Sequence, residues 1–216
     1  MKSFKHWKRQ EVQDTFGLER VFQMPSMDEW LSVEHIQLTE YEQSEIQQLR
    51  RELERYSPDW NEAAIKFLFL GPLIRLVDFH VGPYNPFLEH SLSATVGTAT
   101  ASGKVDFMIA KGEQIPETPF FCLHEYKPEE GTSNDPYGQL LIAMVAAQQA
   151  NEAIGITIPI YGMYSLGNIF YFVLLEDKKY MRSQSFDAIT DEIFAIFKIL
   201  RKSKIPLEQM LNEQAS

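Results

Sequence analysis

The chain has 216 residues, 44% hydrophobic and 12% aromatic, which suits one ordinary domain with a sizeable core. Its formal net charge of −10 weighs against strong sequence-independent binding to nucleic acid over the whole surface, because such binding is dominated by phosphate neutralisation. The lone Cys122 excludes an internal disulfide and a thiolate zinc site, and in the apolar run Phe120-Phe121-Cys122-Leu123 it reads as a small buried hydrophobe.

No apolar stretch approaches the ~18 to 20 residues of a membrane span, and the polar start MKSFKHWKRQEVQD lacks the apolar region of a secretory signal. A cytoplasmic protein without a membrane partner is expected. Residues 1–59 read as helical throughout. Phe4, Trp7, Val12, Phe16 and Leu18 suggest an amphipathic first helix, and Met27 to Leu31 a short second one with Ser26 as its N-cap. Thr39 with Glu42 three residues on forms a capping box for a third helix running to Arg55. Ser57-Pro58-Asp59 breaks the pattern, and Ala63 to Phe79 reads as a mostly apolar helix with a kink at Gly71-Pro72.

Between Gly82 and Pro128, breakers such as Gly97 separate three strands: Phe87 to Val96, Lys104 to Ala110 and Phe120 to Lys127. Asp135-Pro136 then supplies an N-cap and a proline at N1 for a helix, Gln139 to Gln149, that is apolar almost all round. Ile158 to Tyr164 and Ile169 to Leu175 follow as strands joined by the turn Ser165-Leu166-Gly167-Asn168, and Phe186 to Leu200 is an amphipathic helix. The order strand-strand-strand-helix-strand-strand, flanked by helices, predicts an α/β domain with a central mixed sheet. The division expected is a helical N-terminal extension, residues 1–59, packed on a core of residues 60–216.

Alternation in the third strand places Phe121, Leu123, Glu125 and Lys127 on one face and Phe120, Cys122, His124 and Tyr126 on the other. In the second strand Lys104, Asp106, Met108 and Ala110 alternate with Val105, Phe107 and Ile109, so Asp106 interrupts core-compatible positions. If the two strands pair, two carboxylates and a lysine converge. Such a set suits Mg²⁺ or Mn²⁺, hard ions that accept oxygen ligands, and a lysine beside the ion can stabilise a developing phosphorane or help position an attacking water.

Gly103-Lys104-Val105-Asp106-Phe107 followed by Leu123-His124-Glu125-Tyr126-Lys127 resembles the acid and acid-x-lysine motifs of the PD-(D/E)XK nuclease superfamily. Asn61-Glu62-Ala63-Ala64 with Pro72-Leu73-Ile74 resembles the helix before the core strands, and Tyr137-Gly138-Gln139 the helix after the lysine strand. The strand pair Tyr161 to Phe172 is similar to that of the nuclease domain at the N-terminus of type I restriction-enzyme motor subunits, although no helicase motor follows. The resemblance implies a restriction-endonuclease-like core and catalysis by Asp106, Glu125 and Lys127, supported by Glu62 and Gln139. Asp106, Glu125 and Glu62 would hold Mg²⁺ or Mn²⁺, and the substrate would be DNA, with RNA as the alternative. Val105 stands where many members have proline, and Tyr126 where many have a small residue.

The rival reading is a noncatalytic interaction module that keeps this fold, with the N-terminal helices docking a protein partner or a second copy. His90 and His124 read as structural, and Tyr161, Tyr164, Phe170, Tyr171 and Phe172 as packing. A phosphate approaching so acidic a chain needs local cations, for which Lys104, Lys111 and Lys127 are placed.

Overall fold

A computed structural model describes residues 1–96, 99–127 and 135–214, without the side chains of Val96, Cys122, Glu213 and Gln214. The breakers Gly97 and Pro128 and the packing of the Cys122 side chain lie outside the described residues. The chain begins with β1 (Lys2–Ser3), α1 (Arg9–Phe16), β2 (Glu19–Arg20), α2 (Pro25–Leu31) and α3 (Glu40–Tyr56). Next come α4 (Glu62–Ile65), a π-helical turn (Lys66–Leu70), α5 (Gly71–Val77) and strands β3 (Tyr84–Val96), β4 (Ala99–Lys111) and β5 (Glu117–Lys127). Helix α6 (Pro136–Glu152) leads to β6 (Ile160–Leu166), β7 (Ile169–Glu176) and β8 (Lys179–Asp187), then α7 (Glu192–Lys202) and α8 (Ile205–Gln214).

Eight strands form one sheet in the order β1-β4-β5-β6-β7-β8-β2, with β3 also paired to β4. The pairs β1–β4, β5–β6 and β2–β8 are parallel and the others antiparallel, so the sheet is mixed. The parallel pair β5–β6 requires a long crossover, which α6 supplies. Helices cover both faces, an α/β arrangement. Along β7, Phe172 and Leu174 enter one apolar cluster and Val173 and Leu175 the other, as strand alternation requires. The first cluster joins Trp30, Leu53, Phe69 and Phe197 to the sheet; the second joins Leu141, Met144, Phe4 and Trp7 to its other face. Trp30 ties α2 to α7 by donating its indole N–H to the Ile199 carbonyl at 3.1 Å. Among the described residues no helix is long and apolar enough to cross a membrane.

Several expected elements change. Residues 1–59 are not helical throughout, because β1 and β2 extend the sheet at its two ends by parallel pairing. The first helix is a 3-10 turn at Phe4–His6 followed by α1, with Leu18 beyond it. Met24, not Ser26, stands at the N-cap of α2; Pro25 takes N1, and the Ser26 hydroxyl donates to Glu176 instead. Thr39 and Glu42 do form the capping box of α3. Asp135 and Pro136 do take the N-cap and N1 positions of α6, but the Asp135 carboxylate makes no cap bond and accepts instead from the Arg9 N–H at 2.9 Å. Phe186 belongs to β8, a strand not expected, and α7 starts only at Glu192. The anticipated kink at Gly71-Pro72 is a π turn just before it, where the Gly71 N–H reaches the Lys66 carbonyl. That turn absorbs the loss of the proline N–H.

The predicted face assignments fail at two places. A register shift between Ile109 and Ala110 lets Phe120 join Leu123 in the α6-side cluster, while Phe121 packs against Tyr84 on the other side. Val105 likewise joins the α6-side cluster, whereas Phe107 lies in the opposite one. The alternation of β4 therefore breaks at Asp106. Across from it, Glu89 in β3 has φ 56, and the ladder skips from Leu88↔Phe107 to His90↔Val105. Both strands are irregular at one level, as at a β-bulge.

Candidate functional site

Asp106 lies at that irregularity, where β4 and β5 cease to pair; their ladder ends at Phe107↔His124. The carboxylate continues the connection, with Oδ2 accepting the Tyr126 N–H at 2.9 Å. It thereby holds the end of β5 from which Glu125 and Lys127 project. Lys127 Nζ stands 2.7 Å from Glu125 Oε1, so the two side chains share a face as strand geometry requires. This ion pair is the contact that Glu125 Oε1 makes.

Glu125 is 2% exposed. Burial, and next the negative charge of Asp106, push its carboxyl up to about 8 against the pull of Lys127 and Lys66. Gln139, in the first turn of α6, is also buried, and its Oε1 has no hydrogen-bond partner. The Gln139 oxygen is thus a buried acceptor still open to a donor or a cation. Both residues line one cavity of about 660 Å³, together with Asp106, Lys127 and Glu62. The five residues singled out in the sequence therefore meet at one place.

Lys66 was not among them. It opens the π turn, and its ammonium lies 2.8 Å from Asp106 Oδ1 and 2.7 Å from Glu62 Oε1, with Glu89 Oε1 at 3.9 Å. Partial burial lowers its pKa, but the bonds to Asp106 and Glu62 outweigh this and raise it above its ordinary value. The sequence did carry a signal: Lys66 is the one charge in the apolar run Ala63 to Ile74. Glu62 also stands 3.9 Å from Lys127, so it faces both lysines.

The cavity is lined by four lysines, Lys5, Lys66, Lys104 and Lys127, and four acids, Glu62, Glu89, Asp106 and Glu125. It is thus balanced in formal charge on a chain of −10. Lys111, expected beside Lys104, does not line it. His124 points to the other face, stacked on Phe107 at 4.6 Å with its Nδ1 2.7 Å from the Tyr126 hydroxyl; burial drives its pKa to about 3, so the ring is neutral. His90 sets its edge against Phe87. The strand aromatics pack internally, with Trp30 against Tyr161 and Phe172 and Tyr164 stacked on Tyr171.

Among the described residues no three His, Cys, Asp or Glu side chains are close enough to hold a metal ion together as they stand. The donor chemistry nevertheless fits a hard cation. Asp106 Oδ1 and Glu125 Oε1 each face a lysine ammonium where a cation could stand, Gln139 Oε1 lacks a partner, and oxygen donors completed by water are what Mg²⁺ takes. A comparison with protein-family models gave no match, and a comparison with curated proteins gave none.

Proposed function

We propose that the chain is a metal-dependent nuclease with a restriction-endonuclease-like core, hydrolysing phosphodiester bonds of DNA, with RNA as the alternative substrate. One observation carries the reading: the acids Asp106, Glu125 and Glu62 line one cavity with Lys127, which is ion-paired to the buried Glu125, and with the buried Gln139, whose Oε1 has no partner. Burial of Glu125 beside the negative charge of Asp106 is costly to the fold, and a cation bound between them would relieve that cost. Asp106, Glu125 and Glu62 would hold Mg²⁺ or Mn²⁺, which when bound would favour the carboxylate form of Glu125 and polarise a phosphate and a water.

The remaining work falls to the chain's own side chains. Lys127, steered by Glu125 at 2.7 Å and Glu62 at 3.9 Å, presents its ammonium to charge developing on the phosphate. Lys5 and Lys104 line the cavity and would receive the flanking phosphates. Gln139 Oε1 can accept a hydrogen bond from the attacking water and orient it. Asp106, through the Tyr126 N–H, keeps Glu125 and Lys127 at the cavity wall.

Incubation with plasmid, linear and single-stranded DNA and with RNA at low salt tests the proposal. Cleavage is expected only with Mg²⁺ or Mn²⁺, and Glu125→Gln and Lys127→Met are expected to lower the rate at least ~100-fold while remaining folded. Inactivity of the folded wild type on all four substrates would favour the noncatalytic module, whereas equal residual activity in all three proteins would point to a contaminant.

A further inference from the structure

Asp106 offers two oxygens, and both are engaged. Oδ2 accepts the Tyr126 N–H at 2.9 Å, a bond that fixes the strand end, and Oδ1 lies 2.8 Å from the Lys66 ammonium. A cation coming to Asp106 must therefore contest Oδ1 with Lys66. Ligand bonds of ~2.1 Å would put a divalent ion and the ammonium within about 5 Å of each other, both positive, in a partly buried place. Glu62, the other carboxylate Lys66 holds, faces the same cavity, so one side chain ties up two of the three acids a metal would use.

The ammonium has somewhere to go. Glu89 Oε1 is already 3.9 Å away on a side chain that lines the same cavity and is 58% exposed. A lysine stem with four rotatable bonds covers that distance without backbone movement.

We propose that Lys66 is a built-in counter-cation that keeps the site closed to metal, and that a divalent ion enters as Lys66 passes from Asp106 and Glu62 to Glu89. The inference rests on the metal-site reading of Asp106, Glu125 and Glu62. It adds that metal affinity is set by an internal competitor and not by the acids alone.

Mn²⁺ titration of the full chain, followed by paramagnetic resonance and by thermal melts, tests it in wild type, Lys66→Met, Lys66→Gln, Glu89→Gln and the double variant K66M/E89Q. Both lysine variants are expected to bind Mn²⁺ about tenfold or more tightly than wild type. They should melt lower without metal, because the acids lose their counter-ion, and gain more on its addition. Glu89→Gln is expected to weaken binding about threefold in wild type and to change nothing in the Lys66→Met background, where no ammonium needs a new partner. A wild-type readout needs no variant: Mn²⁺ should speed modification of the Lys66 amine by an acylating reagent, measured by mass spectrometry. If wild type binds Mn²⁺ as tightly as both lysine variants, or Lys66 labelling does not rise on metal binding, the gate is wrong while the metal site stands. A loss on Glu89→Gln that is equal in both backgrounds overturns the transfer to Glu89. If none of the folded proteins binds Mn²⁺, the metal-site reading fails and the gate with it.

Discussion

Neighbours in β5, Glu125 and His124 are driven to their neutral forms from opposite directions, and pH separates them. For Glu125, burial first and Asp106 second raise the folded carboxyl from 4.5 to about 8, so the folded state binds its proton more tightly than the unfolded one. Stability from this group is present below 4.5 and is lost as pH rises towards 8. His124 runs the other way: burial lowers it from 6.5 to about 3, so its neutral ring favours folding more as pH rises through that window. Between 4.5 and 6.5 the two oppose, and above 6.5 Glu125 acts alone. Urea unfolding of wild type is expected to show stability falling from pH 6.5 to 8, by up to about 1.4 kcal/mol per unit, and Glu125→Gln should remove that fall. Saturating Mg²⁺ should also remove it, since a bound cation favours the carboxylate. An undiminished slope in Glu125→Gln would assign the titration to another group. At this scale the site was largely legible, because Asp106, Glu125 and Lys127 are charges interrupting apolar strands. Lys66 escaped notice because its spacing from Glu62 is that of an ordinary i,i+4 pair on a helix surface.

Among the elements, α6 is the one most constrained by what surrounds it. It reads as apolar all round because the sheet covers one side and the first 16 residues cover another, Trp7 and Phe16 packing in its cluster. Gly138 makes that second contact: a Cβ there would stand 2.6 Å from both the Trp7 carbonyl oxygen and the Arg9 nitrogen. Two effects of Gly138→Ala compete. Helix propensity favours alanine by about 1 kcal/mol, while overpacking against immobile backbone costs about 1 to 3 kcal/mol and also strains the Arg9 N–H to Asp135 bond. The clash should win. Gly138→Ala is expected to lower stability by about 1 kcal/mol and to speed amide exchange in residues 4–16 while the amides of β5 and β6 stay protected; a stabilised variant would mean that the segment is not seated. The elements missed in the sequence share one cause, dependence on tertiary partners. In β8 the buried positions Tyr180, Ser183 and Phe186 fall three apart, because the pairing with β7 shifts register between Tyr171 and Val173, so no period of two is visible. The strands β1 and β2 are two residues each and exist only through their parallel neighbours.

For the whole molecule the question is how a chain of net charge −10 receives a polyanion. The cavity is the local exception, but its four lysines are not equivalent. Lys66 is matched by Asp106 at 2.8 Å and Glu62 at 2.7 Å, and Lys127, nearly buried, is engaged by Glu125 at 2.7 Å and faces Glu62 at 3.9 Å, so in the absence of metal neither is free to take a phosphate. Lys5 and Lys104 reach the cavity without an ion pair among the described residues. About two phosphates should therefore be neutralised on binding. The logarithm of the association constant for a DNA duplex should then fall against the logarithm of salt with a slope of about −2, far shallower than that of a protein with a broad basic face. Anisotropy titrations in EDTA at several KCl concentrations measure it. Lys5→Ala and Lys104→Ala should each reduce the slope by about one, whereas Lys111→Ala, outside the cavity, should leave it unchanged. A steep slope insensitive to Lys5 and Lys104 would place the nucleic-acid contact on another surface. The absence of any binding, with the fold intact, would leave the acidic surface as the dominant electrostatic fact and turn the reading towards a protein partner, since an acidic surface repels nucleic acid but meets a basic protein face with complementary charge.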